Sequence, residues 1–553
     1  MRPLTLSLTA ALASLAVGSA LLVAPVSPAS ADDPAPVDPA ASLTDPLTDA
    51  ADPGTPAEQA VAALETAQDV LSGDVPTVGR GSEADAGADT GSDTAEATSV
   101  TMALRDVVAT RDDLPEAQQE EAARVLARPT SGAGAYDGYS VAEETPVCST
   151  VVCIHYVATT RDAPPMADND DDGVPDYVTF AVRTLTKVHQ TYVDAGYRAP
   201  KPDGTRGGDN RTDVYLSDVG RRGFYGYCTT DETSGASDVW AYCVLDNDYS
   251  SSQFPFNTSR QNLQVTAAHE YFHAVQFAYD IYEDTWFMEG TATWAEDEVF
   301  DNVNDNRQYL RESPISDPNL PLDYQAGLLP YGTWIFFRWL TELRPGAQGD
   351  LPTLVRDMWR RADAAPGGMD QYSIKAVGNT LAARNVSLTK AWAFFSTANR
   401  SPGRSYEEGK AYPSAPLAGS QKVTRSTDAR NRSFRLNHLA SATYRYVPST
   451  GLGNGRWKLN FRFDLSNAVR GAGAVVTVNK KGARPTSRFV GLNTKGDGRI
   501  SAKFTKGTVK WVEVTVVNAG DHYRCDTGDA FSCTGTSKDD RRRQVVKAHA
   551  VRR

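Results

Sequence analysis

The stretch LQVTAAHEYFHAVQFAYD, residues 263–280, constrains this chain more than any other, because it packs two of the seven histidines into a run without Gly or Pro. Such a run reads as a helix, and on a helix residues four apart share a face. His269 and His273 therefore point the same way, and their rings can reach one metal ion at ~2.0–2.1 Å. Glu270, next to the first histidine, leans toward the same pocket and can accept a proton there without being a ligand. Leu263, Val265, Phe272, Val275 and Phe277 supply packing on the other faces. The competing reading is a helix with two ordinary, partly buried histidines.

A catalytic zinc wants a third protein ligand and an open position. DTWFMEGTATWAEDEVF, residues 284–300, reads as a second helix with Asp284 or Thr285 as its cap. Glu289 stands near its start among Trp286, Phe287, Met288 and Trp294. A carboxylate in apolar company needs a strong partner, and a dication is one. The alternative is an exposed Glu on an amphipathic helix, the pattern that Glu296, Asp297 and Glu298 suggest.

His269-Glu270-x-x-His273 followed by Glu289 in EGTATW resembles the gluzincin, or thermolysin-like, zinc metallopeptidases. It is most similar to a set of secreted bacterial metalloproteases with HExxH…EGxAxW. The resemblance spans residues 140 to 400 and implies an α+β fold. A zincin-like metallopeptidase domain (mixed sheet plus active-site helix, then a helical half) would be followed by a small all-β sandwich domain. It implies zinc on His269, His273 and Glu289, Glu270 as general base, and a peptide or protein substrate. It also implies that the strand at 239–246 is the sheet edge that aligns an extended peptide. One position departs from the pattern. Many gluzincins carry an Asp four residues after the glutamate ligand to hold a histidine, and here Thr293 stands there. Another carboxylate must do that work, or the support is missing.

In peptide hydrolysis Glu270 would take a proton and deliver it to the leaving amine. The developing oxyanion needs a donor besides the metal. Tyr331 in PYGTWIFF is a candidate, because related enzymes use a Tyr or His for this. The plain reading is a Tyr packed at a helix start.

DNDDDGVPDY, residues 168–177, suggests a second cation. Asp168, Asp170, Asp172 and Asp176 fall at positions 1, 3, 5 and 9 of a calcium loop, with Gly173 at the sharp turn. Clustered carboxylates repel one another unless a cation sits among them. Position 12 is Thr179, so this resembles the shorter Asp-rich loops of secreted calcium-binding repeats. A solvated acidic loop is the alternative.

The rest of the chain frames these motifs. Arg2, the apolar run from Leu4 to Val26 and Ala29-Ser30-Ala31 read as a signal peptide, residues 1–31, and so as export to the extracellular space. No later stretch is long and apolar enough to span a bilayer. Six cysteines in three local pairs (Cys148 with Cys153, Cys228 with Cys243, Cys525 with Cys533) fit a secreted chain. The net charge of −13 comes from residues 32–98, which hold fifteen acidic side chains against one Arg. That segment reads as disordered, with a short helix near 57–71. The remainder is charge-balanced, and no basic face points to nucleic acid. Residues 99–136 read as a helical propeptide or a linker, with Asp113 placed to cap a helix. Residues 137–402 read as the catalytic domain. Strands are expected at 152–159, 211–220 and 239–246, and helices at 176–196, 331–344, 351–364, 369–384 and 387–399. Alternating short strands from 425 to 520 read as the sandwich, and residues 521–553 as a disulfide loop with a basic, frayed tail. His155, His189, His438, His522 and His549 read as structural or exposed rather than as ligands. Two further functions stay open: a non-catalytic cell-wall or protein-binding module on a degenerate peptidase scaffold, and metal-assisted hydrolysis of another bond.

Overall fold

Three helices open the structure, a computed structural model that describes residues 54–73, 99–424, 431–453 and 455–552. The expected signal peptide and the greater part of the acidic segment lie outside the described residues. α1 (Pro56–Ser72) begins at a capping box between Thr55 and Glu58 and ends at Gly73, whose φ of 81° is the left-handed conformation of a helix stop. Its Ala60, Leu64, Ala67, Val70 and Leu71 are buried, so this part of the acidic segment is a packed helix. It pairs with α2 (Val100–Thr110). α3 (Glu116–Val125) follows, with Pro115 at its N-cap. Asp113, expected to cap it, instead sits in the 3-10 turn Arg111–Asp113.

A five-stranded mixed sheet comes next. Its strands are β1 (Val147–Cys148), β2 (Val152–His155), β3 (Thr212–Ser217), β4 (Gly226–Thr229) and β5 (Tyr242–Asp246), in the order β1-β2-β3-β5-β4. β2, β3 and β5 run parallel, and α4 (Asp176–Asp194) connects β2 to β3. The last of these corrects an expectation. The strand within 239–246 is interior, because β4 pairs antiparallel on its outer side and the Cys228–Cys243 disulfide joins the two. β4 is therefore the edge nearest the helices.

Helices fill the following region: α5 (Ser259–Phe277), α6 (Thr285–Val299), α7 (Leu329–Gly332) and α8 (Trp334–Leu343). A short hairpin, β6 (Ala347–Gln348) with β7 (Leu351–Pro352), precedes α9 (Thr353–Ala362), α10 (Ser373–Ala382) and α11 (Leu388–Ala398). The helix expected over 331–344 is two helices that meet at Thr333.

The C-terminal region is all-β. β8 (Gly419–Val423), β9 (Arg432–Leu436), β10 (Ala440–Pro448), β11 (Trp457–Asp464), β12 (Ala472–Lys480), β13 (Thr486–Phe489), β14 (Asp497–Lys503) and β15 (Val509–Asn518) precede the small pair β16 (Tyr523–Arg524) and β17 (Thr536–Ser537), and β18 (Arg542–Arg552) closes the chain. Two sheets, β13-β12-β15-β10-β8 and β14-β11-β18-β9, share a core that includes Tyr446, Phe461, Val476, Val514 and Val546. Long stretches of β12 and β15 are buried on both faces, because α11 covers the side away from that core. The basic tail, expected to fray, is β18, paired on both sides by β11 and β9. Val546 and Ala548 point inward while Lys547 and His549 point out, so basic side chains and a core strand coexist through period-two alternation.

The β region is not a detached appendage. Its Cys525–Cys533 loop reaches the start of α6, where the Cys533 N–H donates to Asp284 Oδ1 at 2.9 Å and the Trp286 indole donates to Ser532 Oγ at 3.2 Å. Asp284 is the N-cap residue of α6 yet makes no capping bond, because its carboxylate serves Cys533 and Ser373. Three disulfides, Cys148–Cys153, Cys228–Cys243 and Cys525–Cys533, account for all six cysteines. No helix among the described residues is long and apolar enough to cross a membrane.

Candidate metal centre

α5 owes its start to a capping box between Thr258 and Gln261 and its depth to burial on all sides, from Asn262 to Phe277. α6 packs beside it. Gly290 allows the next element to close in: a Cβ there would stand 2.1 Å from Thr333 Oγ1. Any larger residue after Glu289 would push α7 and its Tyr331 away from the pocket.

Three side chains converge between the two helices. His269 Nε2 lies 3.1 Å from Glu289 Oε2 and 3.0 Å from His273 Nε2, and His273 Nε2 lies 3.6 Å from the same Glu289 oxygen. His273 and Glu289 are fully buried and His269 is 7 % exposed. A point about 2 Å from all three corners of this triangle exists close to its plane, which is the distance a zinc-sized ion requires.

The far side of each ring explains why those atoms face inward. His269 Nδ1 donates to Glu296 Oε1 at 2.6 Å. His273 Nδ1 donates to Gln276 Oε1 at 2.7 Å, and that amide is pinned by its own donation to Met288 O at 2.9 Å and Thr291 Oγ1 at 3.0 Å. With both Nδ1 atoms acting as donors, the neutral rings turn two Nε2 lone pairs toward a carboxylate oxygen. Three acceptors at such range repel unless a positive charge lies among them. Glu289 Oε1 is buried without a hydrogen-bond partner. The donor set fits a divalent cation on these grounds.

Charge follows the same logic. Burial disfavours ionisation of Glu289, but His273 and His269 outweigh it and hold its carboxyl well below the usual range. Burial likewise opposes charge on His269, yet Glu289 and Glu296 raise its pKa well above the ordinary value. Burial raises the pKa of Glu270 despite the nearby imidazoles. Glu270 Oε2 accepts from Thr101 Oγ1 at 3.3 Å.

Tyr331 lies in α7, 7 % exposed, with its ring stacked on His269 at 5.8 Å and on Tyr309 at 5.0 Å. Burial, and then the nearby Glu289 carboxylate, raise the pKa of its hydroxyl well above the ordinary value. It is thus both packed at a helix start and on the wall of the pocket.

Glu296 and Asp297, read as exposed, are 5 % and 2 % exposed, and Glu298 is partly buried. Their acidic run looks solvated only in isolation: Glu296 is taken by His269, and Asp297 and Glu298 by the buried Arg338 guanidinium. Glu296 stands two helical turns after Glu289 and does what the position of Thr293 would do in the gluzincin pattern. Its i, i+7 spacing was the available signal, as was the i, i+3 spacing of Gln276 from His273.

The Asp-rich loop is built differently. Asp168, Asp170 and Asp176 come together, while Asp172 turns its carboxylate to the Val174 N–H at 2.9 Å. Asp168 accepts from the Gly173 N–H at 2.9 Å. Asp170 is exposed, and repulsion from Asp172 leads the causes that raise its pKa.

The other histidines have protein partners. His155 bridges Glu143 and Asp213, His189 meets Tyr271 Oη at 2.8 Å, and His438 bridges Asp323 and Asp540. A cavity of about 1150 Å³ lies between α11 and the β region and has no histidine in its wall. The converging donors, not volume, mark the candidate site.

No known protein family matches the chain, and no curated protein matches it. Among solved structures, the pre-peptidase C-terminal domain of collagenase from Bacillus anthracis is similar at 9 % identity and a TM-score of 0.14, over 24 % of this chain and 94 % of that one. A family GH115 4-O-methyl-alpha-glucuronidase with specificity for decorated arabinogalactans is similar at 8 % identity and a TM-score of 0.13, over 52 % of this chain and 38 % of that one. TM-scores of this size carry no argument about fold or function.

Proposed function

We propose that the chain is a secreted zinc metallopeptidase of the gluzincin type, with a zincin-like catalytic half and the all-β region as an accessory. The observation that carries this reading is the convergence of His269 Nε2, His273 Nε2 and Glu289 Oε2 with both imidazole Nδ1 atoms locked as donors. These three residues would hold the ion. Zinc bound there supplies Lewis acidity, which polarises a carbonyl and makes water a nucleophile near neutral pH.

The chain's own residues supply the rest. Glu270 holds and moves the proton, and its raised pKa suits a group that must both accept and return one. Tyr331, stacked on His269, offers its hydroxyl to a developing oxyanion. β4, the sheet edge, offers backbone groups to an extended peptide. The three disulfides accord with export.

The test is Glu270→Gln. Zinc content should remain one per chain while peptide hydrolysis falls by ~10²–10⁴. A variant that keeps its activity removes Glu270 from the mechanism. A wild-type chain that binds no zinc and cleaves no unfolded protein leaves the binding-module reading in its place.

A further inference from the structure

The cavity of about 1150 Å³ has a wall with its own chemistry. It is built from the end of α8, from α11 and the loop after it, and from the outer face of β12, β13 and β15. Val476, Val478, Val512 and Val514 point into the sandwich core. Period-two alternation therefore turns Thr477, Asn479, Trp511 and Glu513 outward, into the cavity.

Six cations stand in this wall, Arg344, Lys390, Arg400, Arg404, Arg484 and Lys510, against one carboxylate, Glu513. The chain beyond residue 98 is charge-balanced, so the excess is a product of folding. Glu513 does not offset it. Its Oε1 is already held by Arg445, through Nε at 2.8 Å and through Nη2. Arg400 reaches the same oxygen only through Nη2, at 3.3 Å. The Arg400 side chain is 10 % exposed, and its Nε is buried without a hydrogen-bond partner. A guanidinium at that depth costs stability unless an acceptor meets it. The other five cations are exposed and make no ion pair among the described residues.

The neutral part of the wall decides what the anion is carried on. Thr477 Oγ1 and Ser487 Oγ share a hydrogen bond at 2.8 Å, and the Asn479 amide beside them bonds to no side chain or backbone group among the described residues. The half-buried Trp511 indole carries the Arg445 guanidinium at 4.7 Å from its ring centre. Leu343, 58 % exposed, adds apolar surface. Hydroxyls and an amide beside an indole suit a sugar ring, which has hydroxyls at its edge and C–H groups on its faces. An extended polypeptide finds less here, because β12 and β15 are interior strands whose backbone groups are spent on their neighbours.

The geometry points to this cleft as a binding site for an anionic polysaccharide. Arg400 takes one acid group at depth, Trp511 packs on a sugar ring, and the exposed cations follow the chain outward. The volume suits a few sugar units. The site shares no residue with the metal centre and does not depend on zinc.

The experiment is calorimetric titration of the full chain with oligogalacturonate, which carries carboxylates, and with dextran sulfate, which carries sulfates. Neutral dextran, polyglutamate and oligothymidylate are titrated alongside. One of the two acidic glycans should bind at least tenfold more tightly than all three comparison polymers, and the tighter one names the acid group. Added salt should weaken it. Lys510→Glu and Arg400→Gln should each lower that affinity at least tenfold with zinc content unchanged, and Trp511→Ala should lower it too. Lys510 is exposed, so K510E tests the site even if R400Q fails to fold. Absence of glycan binding overturns the proposal. So does equal binding of polyglutamate or oligothymidylate, which would make the cleft a sink for any polyanion. Unchanged affinity in K510E and R400Q places the glycan elsewhere and overturns the site.

Discussion

Two buried clusters in this molecule use the same residue types to opposite ends. At His438, one imidazole lies between two carboxylates, with Nε2 2.8 Å from Asp323 and Nδ1 on Asp540. Tyr523 and the Ser532 N–H complete the shell of Asp323. Burial opposes the charge on His438, but Asp323 and Asp540 outweigh it and raise its pKa to about 10. Its proton is the cation the cluster needs. At the candidate centre two imidazoles spend their Nδ1 donors on Glu296 and Gln276 and turn their remaining lone pairs on a third acceptor. The first arrangement is complete in protein atoms; the second asks for a cation from outside. What differs is the second imidazole: His438 alone lies between its carboxylates, whereas His269 and His273 both turn Nε2 to one Glu289 oxygen.

The largest effect should come from removing a corner of the triangle. His273→Ala or Glu289→Ala should eliminate stoichiometric zinc in purified protein, whereas His438→Gln should leave it intact. Zinc retained by both corner variants breaks the comparison. His438→Gln should instead cost about 3–5 kcal/mol of stability, because Asp323 is left buried without its partner. Thermal or denaturant melting measures this, and an unchanged midpoint would show that the clamp carries nothing.

The sign with pH sharpens the same point. The folded pKa of His438 is raised from 6.5 to about 10, so its contribution is complete below pH 6.5 and is lost as pH rises toward 10. The wild-type midpoint should fall across that window more steeply than that of H438Q. A smaller effect is expected one layer out from the triangle. Glu296→Gln and Gln276→Ala should weaken zinc affinity by about 10–100-fold, read by competition with a chelating dye. The smallest belongs to the exposed Asp loop. If Asp168, Asp170 and Asp176 hold calcium, with Asp172 bracing the turn, EGTA should lower the melting temperature by a few degrees. A midpoint indifferent to EGTA assigns that loop to solvent.

Much of this was legible along the chain because it is local. The i, i+4 histidines and the Glu in apolar company each lie within one element, and the cysteine pairs are only 5, 15 and 8 residues apart. Helix ends at 176–194 and 388–398 followed from 3.6-residue periodicity within about two residues. The short helix expected near 57–71 spans Pro56–Ser72, but its thin apolar face becomes a core face only against α2.

By itself the sequence determined that two imidazoles share a helix face and that Glu289 sits in an apolar helix start, since backbone geometry dictates both. Only the tertiary structure decided that Glu296 and Gln276 aim those rings, that β4 and not β5 is the sheet edge, that the last strand closes the β region, and that Thr101 covers Glu270 across 169 residues of chain. Those contacts join distant segments, and no periodicity within either partner records which distant surface will bury it.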